Sequence, residues 1–170
     1  MHDRICSRPW PTLSFCYMEE FFVVRIGRFF FAIPPEYVRR ALPVIPHINV
    51  PLLKPHFGGI VLYNKRFIAK LFLDSVLDID IHRQAVTAVS TDSTVIFEVS
   101  GITFCATVNE VLPVISVEKN QLLPIDEACS IQEHSFPKRE YLMGYFEYRQ
   151  KHVYILNMPR ILQEHFSAHH

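Results

Sequence analysis

Glycine is scarce in this chain, with five in 170 residues, which leaves no glycine-rich loop to cradle a phosphate. No charge of either sign dominates. Seventeen Lys and Arg face seventeen Asp and Glu, which excludes a general attraction to nucleic acid or to an anionic membrane surface. No apolar run approaches the ~20 residues that span a bilayer, so no direct membrane insertion is expected. Arg4 and Arg8 stand beside Pro9 and Pro11, and the prolines interrupt any signal-peptide core. Four cysteines (Cys6, Cys16, Cys105, Cys129) lie far apart with no C-x-x-C. In a secreted chain they would allow two bridges in three pairings, but nothing else points to secretion. The expected location is cytoplasmic, with protein partners or a small ligand in preference to nucleic acid.

Hydrophobic residues make up 49% of the chain and charged ones 20%, a globular composition able to bury a sizeable core. The stretch 21–43, FFVVRIGRFFFAIPPEYVRRALP, reads as a strand, a tight turn at Gly27-Arg28 and a second strand to Ile33. Pro34-Pro35 then opens a short turn or a single helical turn. Prolines 46, 51 and 55 forbid a helix or central strand over 44–57 and favour an extended crossing segment. Gly58-Gly59 marks a bulge or a close backbone approach. A second hairpin follows at 60–73, turning at Asn64-Lys65, where Lys70 is tolerable if it points to solvent. Asp74 is placed to cap a short turn. The third hairpin, with strands at 95–99 and 102–108, turns at Ser100-Gly101, and a strand is expected over 111–117. Residues 118–138 read as a loop, with a short helix near 125–130. The last hairpin, 144–158, turns near Gln150-Lys151, and a C-terminal helix at 159–166 starts with proline.

The chain repeats itself. An offset of 73 lays Phe22, Val24, Ile26, Phe31 and Val38 on Val95, Phe97, Val99, Phe104 and Val111. An offset of 85 lays Gly59, Tyr63, Leu71, Val76 and Leu77 on Gly144, Tyr148, Leu156, Ile161 and Leu162. Each half is thus a hairpin, an irregular connector and a second hairpin ending in an aliphatic stop. Closing each half into a small barrel removes its bare sheet edges. The expectation is all-β, with two packed barrels, short helical turns and a short C-terminal helix. Residues 1–19 read as a loosely held extension, with Met18 as an alternative start, 20–166 as one domain of two barrel subdomains, and 167–170 as a frayed tail.

Catalytic chemistry is hard to find. Cys105 sits mid-strand without an elbow glycine and reads as a buried structural thiol. His47, His56, His82, His134 and His152 share no metal-ligand spacing, so neither metal nor cofactor is expected. Arg39-Arg40 and Lys65-Arg66 read as a solvated basic face in preference to a nucleic-acid site. Strand alternation cannot turn Phe29, Phe30 and Phe31 all inward, which leaves one for an outer surface or an inter-barrel groove.

Four pieces, in order, resemble the CheW-like domain: FFVVRIGRFFFAIPPEYVRR, GGIVLYNKRFIAKLFL, ITFCATVNEVLPVISV and MGYFEYRQKHVYILNMPRIL. The likeness runs over nearly the whole chain. It implies two five-stranded SH3-like β-barrels and a non-enzymatic adaptor. One surface of such an adaptor meets the regulatory domain of a histidine kinase, another meets the cytoplasmic tip of a chemoreceptor, and copies self-associate in arrays. Val38 and Gly59 match the family's valine and its hairpin-opening glycine. The family's Glu falls on Arg40, beside Arg39, and its Asn-Leu-Arg-Gly turn places Leu62 at the Asn, Asn64 at the Arg and Lys65 at the Gly. A later Pro and Asp fall on Ala69 and Phe72, the Asp of the second copy on Asn109, and the late Leu-Asp on Leu156-Asn157. The partner-binding expectation therefore rests on Val38, Arg39, Arg40, Gly59 and Asn64. Arginine in place of glutamate at position 40 makes an attractive contact repulsive. That favours a diverged adaptor in a pilus-type or otherwise specialised array, or a β-barrel binding module for motility or pilus control with another protein partner. An enzyme working through unrecognised surfaces is the remaining reading.

Overall fold

The computed structural model describes residues 17–79, 92–125 and 137–167. Among the described residues, eleven strands carry the fold: β1 (Met18–Ile26), β2 (Phe29–Ile33), β3 (Val38–Pro43), β4 (Phe57–Tyr63), β5 (Arg66–Leu71), β6 (Ser93–Val99), β7 (Ile102–Val108), β8 (Glu110–Val111), β9 (Ile115–Glu118), β10 (Leu142–Tyr148) and β11 (Lys151–Leu156). Two helices follow hairpins, α1 (Leu73–Val76) and α2 (Met158–Phe166). Single 3-10 turns lie at Pro35–Tyr37, Lys119–Gln121 and Arg139–Tyr141.

The strands form two sheets. One has the order β10-β11-β2-β1-β8, with β9 also on β1, and the other β3-β6-β7-β5-β4. Two barrels are therefore present, but neither is built from one half of the chain. The first barrel joins the first and last hairpins, and the second joins the two middle ones. Parallel ladders make these joints, Tyr154 beside Phe31 and Ala69 beside Phe104. Those pairs are related by the sequence repeat, since 154 and 69 differ by 85 and 31 and 104 by 73. Likewise β3 pairs Val38 with Phe97, while β8 pairs Val111 with Val24. The repeat is real, and its halves have exchanged strands.

This exchange explains the core. Alternation along β1 and β2 sends Val24, Ile26, Phe29, Phe31 and Ile33 to one face, where they meet Val95, Phe97, Val99, Phe104 and Ala106 of the other sheet. The opposite faces line the barrels: Phe21, Val23, Phe146 and Val153 inside the first, and Val61, Ile68, Ile96 and Cys105 inside the second. Phe30 is the phenylalanine turned away from its neighbours. It is half-buried against the first barrel's cluster, with Lys151 Nζ 4.6 Å from its ring centre.

Several expectations need correction. Residues 38–43 form the edge strand β3. The strand expected over 111–117 is broken at Leu112–Val114, where Pro113 lacks an N–H, so β8 and β9 pair with different ends of β1. Counted as one broken strand, they leave five in each barrel. β1 begins at Met18, inside the expected extension. The last turn is Arg149-Gln150, both at positive φ, one residue earlier than read. Lys70 is buried, 6% exposed, where the repeat has Ile155; its alternation with Ile68 turns it into the second barrel beside Cys105. Residues 1–16, most of the proposed 125–130 helix, the tail 168–170, and Cys6, Cys16, Cys129, His82 and His134 lie outside the described residues.

The helices show what a cap decides. Asn157 Oδ1 accepts from Arg160 N (3.1 Å) and starts the nine-residue α2, whereas its repeat-mate Phe72 offers no cap and α1 makes one turn. Asp74 stands in the first turn of α1 and does not cap it.

Candidate functional site

The turn end of the second barrel collects the chemistry that sequence reading anticipated. β3 carries a bulge between Val38 and Arg40, so Arg39 is the extra residue against β6. A bulge re-aims a side chain, and Arg39 Nε donates to Glu98 Oε2 at 2.9 Å. That hydrogen bond holds the Glu98 carboxyl below its ordinary range and raises the Arg39 guanidinium. Both side chains are open to solvent, so the pair sets direction more than stability. Asn64 and Lys65 occupy the tight turn at φ 47° and 62°. Arg39, Asn64, Arg66, Glu98 and Thr103 rim a cavity of about 430 Å³, floored by Ile68 and Ile96.

Among the sequence-predicted residues, Arg39 and Asn64 come together here. Arg40 is exposed on the same strand but does not line the cavity. Val38 is half-buried against the core between the sheets. Gly59 lies at the far end of β4, buried, in a bulge paired with Lys70. A Cβ there would collide with the Ile48 carbonyl oxygen, which pairs with Ile60 to bridge the proline-rich connector onto the sheet edge. That bridge extends no further because Pro46, which would face Leu62, has no N–H.

Sequence reading missed an apolar row beside the cavity. Leu62 on β4 pairs with Phe67 on β5, and the parallel register of β5 with β7 brings Phe67 alongside Ile102. All three are exposed, by 57%, 62% and 39%. They continue the face that packs against the first barrel, beyond the point where that barrel covers it. The repeat-mates of Leu62 and Phe67 are Glu147 and His152, also exposed. The fold therefore accepts polar residues at these positions, and contiguous exposed apolar side chains mark an interaction surface. Such a comparison between copies was the signal available in the sequence.

A second concavity, about 1270 Å³, lies between the start of β1, the Pro35–Tyr37 turn and β10. Its apolar floor includes Met18, Tyr37, Leu123 and Met143. Among the described residues, Glu19, Glu20 and Glu36 supply all its charge, with no Lys, Arg or His in the lining. The molecule, neutral as a whole, thus presents one basic-apolar end and one acidic-apolar groove.

Neither concavity is lined, among the described residues, by a Cys, Ser, His or Lys. The Cys105 thiol is buried, and burial pushes it up to about 11, which keeps it protonated. Among the described residues no three His, Cys, Asp or Glu side chains converge to hold a metal. No helix there is long and apolar enough to cross a membrane.

The CheW-like domain model matches residues 20–166. The chain belongs to the CheW-like family. Among solved structures it is similar to the scaffolding protein TtCheW from Thermoanaerobacter tengcongensis, with a TM-score of 0.71 at 14% identity, over 86% of this chain and 94% of that one. A comparison with curated protein sequences finds no match. At family level this CheW-like chain is a chemotaxis-type adaptor. Two of the positions that depart from the family pattern have structural roles in this fold. Asn109 Oδ1 accepts from Gly27 N at 2.7 Å and holds the first hairpin turn, and Asn157 caps α2. Arg40 and Asn64 are surface changes.

Proposed function

We propose that this CheW-like protein is a non-enzymatic cytoplasmic adaptor that couples a chemoreceptor to a histidine kinase, holding one partner on each of two chemically opposite surfaces. The carrying observation is a difference in net charge: Arg66 and the Arg39–Glu98 pair, net basic, lie beside the row Leu62-Phe67-Ile102, against Glu19, Glu20 and Glu36 around a separate groove. An adaptor must bind two partners without making them compete, and charge of opposite sign selects different ones. The resemblance gives the β4–β5 hairpin to the receptor tip and leaves the acidic groove to the kinase's regulatory domain.

Titration calorimetry with each purified partner tests this. Phe67→Asp is expected to weaken receptor-tip binding by tenfold or more, and Glu36→Lys to weaken the kinase domain, each sparing the other. If one variant abolishes both, the surfaces are not separate. If wild type binds neither while Arg40→Glu binds the receptor tip, the chain is a diverged module whose natural partner carries acidic charge opposite Arg40.

A further inference from the structure

Three side chains outside both surfaces form a hydrogen-bonded chain across the joint between the barrels. His56 precedes β4 of the second barrel, His165 lies in the last turn of α2, and Tyr141 ends the 3-10 turn leading into β10 of the first barrel. His165 Nδ1 is 3.0 Å from His56 Nε2, and Tyr141 Oη is 3.1 Å from His165 Nε2. Backbone bonds anchor both ends: Phe72 N donates to His56 O (2.7 Å), and Asn157 N to Tyr141 O (2.8 Å). Next along the helix, Phe166 packs edge-on against Phe57 and tilted against Phe104. The last turn of α2 is thus fixed to the second barrel by two aromatic contacts of Phe166 and one imidazole contact of His165.

The protons in this chain have one consistent arrangement. Tyr141 also hydrogen-bonds Glu164, and an ionised carboxylate only accepts, so the phenol proton goes to Glu164. The phenol oxygen then accepts from His165 Nε2–H. That leaves Nδ1 of neutral His165 as an acceptor, filled by His56 Nε2–H. A proton added to His56 enters at its other nitrogen and leaves the chain intact. A proton added to His165 enters at Nδ1 and is accommodated only when neutral His56 carries its own proton on Nδ1 and accepts at Nε2; with both rings protonated, N–H stands against N–H.

We propose that this chain is a pH-sensitive latch, in which protonation of both histidines releases the last turn of α2 from the second barrel and loosens the joint between barrels. The charged groups around it divide. Lys54 and Lys138 repel a proton on either ring, while Glu140 and Glu164 draw one toward His165. Arg160 faces Tyr141. Burial is the largest influence, and it lowers both imidazoles below their ordinary value. The docked form therefore holds fewer protons than the released one. Docking is unaffected by pH above about 6.5, weakens as pH falls below it, and levels off once the lowered native values are passed. The two rings titrate as a pair.

Amide hydrogen exchange on the full chain, in EDTA to exclude a bridging metal, tests the latch between pH 5 and 8 with intrinsic rates corrected. Protection over 158–166 is expected to be flat above pH 7. Below pH 6.5 it should fall, approaching a hundredfold per pH unit where two protons are taken up, at tenfold per proton. Barrel amides such as Val23 and Ile96 should not follow. His56→Gln keeps a donor toward His165 and removes one proton site, so its slope should drop to tenfold per unit. His165→Phe removes the other proton site and should likewise leave no more than tenfold per unit. Nitrogen-15 shifts of the wild-type imidazoles should show His165 as the Nε2–H tautomer at pH 8, a reading that needs no variant. A pH-independent α2, an unchanged slope in His165→Phe, or a Nδ1–H tautomer overturns the proposal.

Discussion

Gly59 has two competing roles: a contact residue for a partner, or a residue whose missing side chain lets two backbone segments meet. Replacing it with alanine separates them. Its φ is +116°, a value that L side chains rarely adopt, and the new Cβ would strike the Ile48 carbonyl oxygen. Relieving that clash breaks the bridge in which Ile48 N donates to Ile60 O (2.8 Å) and Ile60 N to Ile48 O (3.0 Å). Backbone strain of ~1–3 kcal/mol and two hydrogen bonds of ~1 kcal/mol each total about 3–5 kcal/mol. For a chain of this size that lowers Tm by roughly 6–20 °C. Two internal controls grade the argument. At the repeat-mate Gly144 a Cβ would lie 2.7 Å from the Leu123 carbonyl oxygen, without the positive φ, so Gly144→Ala should cost about half as much. Gly101, at φ +78° with nothing within 4 Å, should cost only ~1 kcal/mol. Urea unfolding followed by circular dichroism gives all three. If Gly59→Ala unfolds within 1 kcal/mol of wild type while losing partner affinity, the close-approach argument fails and the glycine is a contact residue.

Lys70→Met keeps the aliphatic stem and removes a buried ammonium, so the variant should be at least as stable as wild type at pH 7. Burial lowers the Lys70 amine, so the unfolded chain holds that proton more tightly. Wild type should therefore gain on the variant as pH rises from the lowered native value toward the ordinary 10.5; parallel urea midpoints at pH 7 and 9.5 would refute the burial argument. Asn157→Ala should cost about 1 kcal/mol and 2–4 °C in Tm. Calorimetric unfolding checks that figure, and an unchanged Tm would show that Pro159 alone starts α2.

The hairpins were legible because their turns are written locally. Gly27, Asn64, Ser100-Gly101 and the stretch near Gln150 each interrupt apolar alternation at a two-residue turn. The two offsets were legible too, and the structure reproduces them residue for residue in both parallel ladders. Strand exchange was not, because β2 and β7 present equally apolar edges and nothing in Phe30-Phe31 names β11 over β5 as partner. Lys70 misled for a related reason. A charge in an alternating strand normally marks the outer face, but Ile68 and Cys105 fix the register and turn Lys70 inward. At the candidate site Asn64 was read from the family pattern and Arg39 from the basic pair it forms with Arg40, and the structure gathers Arg39 and Asn64 around one cavity. The Leu62-Phe67-Ile102 row stayed hidden because its exposure depends on where the first barrel stops covering the shared face. No strand carries that boundary in its own sequence.

Exchanged strands also set a timetable for synthesis. Phe30 pairs with Val153, so β2 leaves the ribosome 123 residues before the strand that covers its free edge. At ~5–20 residues per second the wait is about 6–25 s. Over that interval the backbone edge of β2 stays unpaired, and until β6 and β7 emerge Phe29 and Phe31 are exposed as well. The middle barrel closes first, since β3 to β7 arrive without interruption. It then offers Phe97 and Phe104 as a ready surface on which the waiting hairpin can rest. A stop codon anywhere before β11 would strand that hairpin permanently, so premature termination yields a half-sheathed chain for the proteases and not a smaller adaptor.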